Sequence, residues 1–121
     1  MKTILLIEDE KALNNVYKEI LEEAGFKVIV AFDGEQGLEM AKNEKWDLML
    51  LDIMLPKLDG LVVLEKVREI DKFALRKIIV LSNLGRESII KQCFELGADA
   101  HIEKVEVEPD QLVEKVKRFL T

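Results

Sequence analysis

The chain has 121 residues, 49% apolar and 35% charged, which suits one domain with a single core and is too short for two. Eighteen basic residues against twenty-four acidic ones leave a net charge of −6, which repels phosphate backbones and anionic lipid and argues against nucleic acid or a membrane as direct partner. Cys93 is the only cysteine, so an intrachain disulfide is excluded; a buried thiol and a reducing, cytoplasmic setting are expected.

In chain order, TILLIED at 3–9 meets acids too early for a signal peptide and reads as a strand. EKALNNVYKEILEEAG (10–25) follows, with Leu13, Val16, Tyr17, Ile20, Leu21 and Ala24 at spacings of three and four; this predicts a helix with one apolar stripe, stopped by Gly25. KVIVAF (27–32) reads as a second strand and GEQGLEMAKNE (34–44) as a second helix. WDLMLLD (46–52) is nearly all apolar, as a central parallel strand covered on both faces should be, with Trp46 packing at its start. Pro56 and the LDG of 58–60 reverse the chain into a third helix, GLVVLEKVREI (60–70).

KIIVLSN (77–83) gives a fourth strand and RESIIKQCFELGA (86–98) a fourth helix. AHIEKV (100–105) carries charges and a histidine, which predicts an edge strand. After an irregular VEVE (105–108), PDQLVEKVKRFL (109–120) starts its helix on Pro109 and repeats the apolar stripe at Leu112, Val113, Val116, Phe119 and Leu120. Five β/α pairs with right-handed crossovers predict a single α/β domain over 1–121: a doubly wound five-stranded parallel sheet in the order 2-1-3-4-5, helices on both faces and the site at the carboxyl ends of the strands. No stretch is long and apolar enough to span a membrane, and a stand-alone domain without an output domain is expected.

Those strand ends carry the chemistry. Glu8 and Asp9 follow the first strand, Asp52 ends the third, Ser82 ends the fourth and Lys104 ends the fifth, so residues far apart in sequence meet as an acidic pocket facing one lysine. Asp52, as the last residue of its strand, leaves the core at the sheet edge and needs no full burial. Three crowded carboxylates repel one another unless a cation joins them, and a hard divalent ion such as magnesium fits, with Asp9 and Asp52 as direct ligands and Glu8 acting through water. The metal, the Lys104 ammonium and the Ser82 hydroxyl could each take one oxygen of a phosphoryl group. The reaction implied is transfer of phosphate to Asp52 as an acyl phosphate that water later hydrolyses.

Together IEDE, LLDIMLPKLDGL, VLSN and LGADAHIEK resemble the receiver domain of two-component response regulators over essentially the whole chain, a flavodoxin-like fold. The resemblance implies that Asp52 accepts phosphate from a histidine kinase, a phosphotransfer protein or a small phosphodonor. Magnesium would be held by Asp9, Asp52 and the backbone carbonyl of Met54, with Ser82 and Lys104 on the phosphoryl group. It implies a signalling domain that catalyses only its own phosphorylation and dephosphorylation, read by a protein partner through the fourth helix, fifth strand and fifth helix.

Four positions depart from the family pattern. Val105 follows Lys104 where proline is usual, so a trans bond is expected, a cis one costing roughly 3 to 4 kcal/mol. Asn83 stands where a small residue is common, and would either hinder donors and water or add a hydrogen bond. His101 takes the slot of the family's switch aromatic, and is either a partly exposed surface residue or an altered switch. Ala100 replaces an acid used in one mode of dimerisation, so that mode is not expected. These changes motivate a competing reading, a degenerate receiver fold that binds independently of phosphorylation. A phosphohydrolase on a similar sheet is disfavoured because Met54 stands where its second aspartate would be.

Overall fold

A computed structural model describes residues 1–70, 76–83, 87–104 and 108–120. Strands β1 (Thr3–Ile7), β2 (Lys27–Ala31), β3 (Leu48–Asp52), β4 (Lys77–Ser82) and β5 (Ala100–Glu103) alternate with helices α1 (Lys11–Glu23), α2 (Gly34–Asn43), α3 (Gly60–Arg68), α4 (Glu87–Glu95) and α5 (Pro109–Leu120). The strands form one parallel sheet in the order β2-β1-β3-β4-β5, as the β/α alternation predicts, with β5 at one edge. The Lys104–Val105 bond and most of VEVE lie outside the described residues.

Side chains alternate across the sheet, and both faces are dry. Leu5, Ile7, Met49, Leu51, Ile78 and Val80 pack with Val63, Leu64, Val67 and Cys93 on the α2, α3 and α4 side. Ile4, Leu6, Leu48, Leu50, Ile79 and Ile102 pack with Tyr17, Leu21, Leu112 and Val116 on the α1 and α5 side. Double coverage explains why the central strands are apolar at every position. Each fully buried leucine or isoleucine contributes about 1.5–3 kcal/mol relative to an exposed one. None of the described helices is long and apolar enough to cross a membrane.

The α1 stripe needs one correction. Val16 is 48% exposed, whereas Asn14 is fully buried, one turn before Tyr17 and two before Leu21. The buried line thus runs through 14, 17 and 21. The polar member earns its place because Asn14 Nδ2 donates to the Glu8 carbonyl at 3.0 Å, tying helix to site loop. Helix α1 ends as expected, with Gly25 at φ +98°, a conformation glycine adopts without steric cost.

Tight packings stand at both ends of the strands, the first at the carboxyl end of β3. A Cβ on Gly60 would lie 2.4 Å from the Asp52 carbonyl oxygen and 2.5 Å from Ile53 Cα, so only glycine lets α3 start this close to β3. Asp59 caps that helix by accepting the Leu61 N–H at 2.8 Å. At the opposite end of the sheet, the Arg68 guanidinium donates to the carbonyls of Gly97 (2.9 Å) and Arg76 (2.8 Å) and to Asp99 Oδ2 (2.9 Å). Asp99 Oδ2 also accepts the Ile78 N–H at 2.8 Å. One side chain therefore joins α3 to the starts of β4 and β5.

Candidate functional site

Asp52 ends β3 with the same facing as Leu48 and Leu50, toward α1 and α5. Glu8 one residue past β1 and Lys104 one residue past β5 converge with it: Lys104 Nζ pairs with Glu8 Oε1 and lies 2.9 Å from Asp52 Oδ2. The Lys104 backbone N–H donates to the Ser82 carbonyl at 2.9 Å, which fixes where the lysine leaves the sheet. Only 6% of the Lys104 side chain is exposed.

Burial of Asp52 is the second correction. It is 2% exposed rather than lifted clear of the core, and Glu8 is fully buried, while Asp9 is exposed. Burial is tolerable because the carboxylate is satisfied on both oxygens: Oδ2 by Lys104, and Oδ1 by the Met54 N–H at 3.1 Å. Burial pushes the Glu8 carboxyl up to about 7 despite its hydrogen bond from Lys104, and the neighbouring Asp52 charge adds to the rise. Burial also works against the Lys104 ammonium, but its bonds to Glu8 and Asp52 outweigh that and hold its pKa above the ordinary lysine value.

Glu8, Asp9 and Asp52 each bring a carboxylate oxygen within 4.8 Å of the others. An all-oxygen donor set of this charge, on three residues that one cation could reach, fits a hard divalent ion and not a soft one. Met54, whose backbone carbonyl completes the expected ligand set, sits two residues beyond Asp52 with its side chain 62% exposed.

The hydroxyl side of the pocket is built from the other face of the sheet. Ser82, 3% exposed, follows Ile78 and Val80 in facing α3 and α4. Its Oγ lies 2.7 Å from His101 Nε2. His101 is half-buried on β5 opposite Val80. Burial, and secondarily the Lys115 charge, lower its pKa. Asn83, the next residue after β4, is exposed.

Sequence reasoning missed Asn14 and the extent of the Glu8–Lys104 pairing. Asn14 had a signal, its spacing to Tyr17 and Leu21, hidden by its polarity. The buried ion pair had none, because it depends on how far Lys104 reaches back across β4 and β3.

The model of the family described as response regulator receiver domain matches residues 4–117. The transcriptional regulatory protein CpxR of Escherichia coli (strain K12) is 40% identical over 104 residues, 86% of this chain and 43% of that protein. The chain spans about half the length of the curated relatives it matches. A CheY-like receiver domain from Methanospirillum hungatei JF-1 superposes with a TM-score of 0.93 at 34% identity, covering 99% of this chain and 94% of that one. The receiver domain of sensor histidine kinase PA1611 from Pseudomonas aeruginosa PAO1, solved with a magnesium ion coordinated in the active site cleft, gives 0.90 at 25% identity, covering 98% and 97%.

Proposed function

This chain belongs to the family of response regulator receiver domains, and from that membership we propose that Asp52 accepts a phosphoryl group and thereby switches the protein's own surface. The observation that carries the reading is the carboxylate of Asp52 at the end of a central strand, held between the Met54 N–H and Lys104 Nζ, with Glu8 and Asp9 beside it. A carboxylate gripped at both oxygens has its plane and direction set before a donor arrives.

In the transfer, an Asp52 carboxylate oxygen forms a bond to phosphorus while the bond from phosphorus to the donor breaks, and the donor atom keeps that electron pair. The donor is a phosphohistidine of a histidine kinase or phosphotransfer protein, or a small acyl phosphate. Lys104 needs only a small movement from Asp52 Oδ2 to meet a phosphoryl oxygen, and the Ser82 hydroxyl supplies a second donor. Asp9, Asp52 and the Met54 carbonyl would hold magnesium, with Glu8 reaching it through water. When bound, the ion supplies positive charge for the transferring group beside the acids.

Readout belongs to α4, β5 and α5, acting on a protein partner in the cytoplasm without direct contact to nucleic acid or membrane. The Ser82–His101 contact supports this, because it places β5 one hydrogen bond from the pocket. Phe94 on α4, 46% exposed, gives that face an apolar anchor. The test is incubation with Mg2+ and a small acyl phosphate, read by intact mass. One phosphate should add to wild type and none to Asp52→Asn, and no addition under varied donors would overturn the reading. Partner binding equal for the two proteins would instead support a phosphorylation-independent module.

A further inference from the structure

The Ser82–His101 pair has a proton-counting consequence. A serine hydroxyl has one proton to give and two lone pairs to receive. At 2.7 Å from His101 Nε2, that proton can point at the imidazole, or the imidazole can donate to Oγ. A phosphoryl group on Asp52 needs the Ser82 proton for one of its own oxygens, which leaves only the second arrangement consistent with an intact pair. Phenylalanine in this slot could offer no such contact.

We infer that His101 is a positioning residue for the phosphoryl reaction, its Nε2–H donating to Ser82 Oγ so that the Ser82 proton is directed at the phosphoryl group. The inference rests on Asp52 being the phosphoacceptor. The pair needs no side-chain swing to change state. The half-exposed ring loses a proton from Nδ1 to water and gains one at Nε2, and its net charge stays the same. Lys115 on α5, near enough to approach the His101 carbonyl at 3.5 Å, disfavours the imidazolium, as does burial, so the exchange is between neutral tautomers. Glu103, opposite Ser82 in register, is the acidic group two residues along the same strand face. Bonds in a chain from imidazole to hydroxyl to phosphoryl oxygen polarise one another, which strengthens each.

Because His101 is the only histidine, a 15N-histidine label gives one pair of ring-nitrogen signals. In protein phosphorylated with Mg2+ and a small acyl phosphate, Nε2 should stand at the protonated position and Nδ1 at the unprotonated one, and Ser82→Ala should remove that preference. Removing the hydrogen bond with His101→Phe should slow phosphorylation by about three- to tenfold, the size of one net hydrogen bond. His101→Gln, whose amide N–H can replace Nε2–H, should restore most of the rate. On a Ser82→Ala background His101→Phe should have no further effect. Phosphorylated wild type, verified by mass, with Nε2 at the unprotonated position would overturn the relay alone; wild type that takes no phosphate would overturn the phosphoacceptor reading and the relay with it.

Discussion

The pocket is assembled from two sides that differ in kind. On the α1 and α5 side, Glu8, Asp52 and Lys104 form a buried ionic cluster braced by Asn14, Met54 and Gly60. On the α3 and α4 side, Ser82 and His101 form a neutral pair joined by one hydrogen bond. The ionic side is costly to disturb, since removing one partner strands buried charge. Breaking the Ser82–His101 contact by itself costs one hydrogen bond. The two sides of one pocket thus rest on different physical interactions, ionic on one and neutral on the other.

Perturbing the ionic side should give the largest effects. Asp52→Asn should abolish phosphate addition by intact mass, and any residual addition would place the acceptor elsewhere. Lys104→Met keeps most of the side-chain volume but leaves two acids crowded and buried. Urea denaturation of the metal-free protein should show a loss of about 3 kcal/mol, and a change within 0.5 kcal/mol would mean that the pair is not held in solution. Gly60→Ala should cost about 1–3 kcal/mol, because the new methyl meets the backbone of Asp52 and Ile53, neither of which can rotate away.

Smaller and graded is the pH effect. Glu8 titrates at about 7 in the fold against an ordinary value of 4.5, so the metal-free folded protein holds an extra proton between those values. Its contribution to stability therefore falls as pH rises from 4.5 to 7, by roughly 3 kcal/mol at most, and is flat outside that window. Magnesium binding favours the charged carboxylate, so affinity should weaken below pH 7 by up to about tenfold per unit. Calorimetric titration from pH 6 to 8 measures this, and a constant Kd would show that Glu8 is not linked to the metal.

The sheet order, the ten elements and the convergence of Glu8, Asp9, Asp52, Ser82 and Lys104 on one edge were legible because period and strand ends are local properties. Gly25 and Pro109 marked helix ends where the chain has them. Burial was harder to read. Asp52 looked like a residue leaving the core, yet it stays inside because Lys104, fifty-two positions away, reaches it. Val16 and Asn14 exchanged roles for a similar reason: the stripe was drawn by polarity, while the Glu8 carbonyl selects a side chain that can donate to it. The Ser82 Oγ opposite His101 Nε2 had no signal in the sequence, because it depends on the register of β5 against β4.

The Arg68 clamp ties down the α3 and α4 side at its far end. Helix α4 runs toward Gly97, whose carbonyl is held by the same guanidinium that holds Arg76 and Asp99. A Cβ on Gly97 would sit 2.9 Å from Arg68 Cγ, so that junction has no slack. The chain is therefore pinned just past the end of α4 that lies far from the pocket, at a junction with little room for a larger residue.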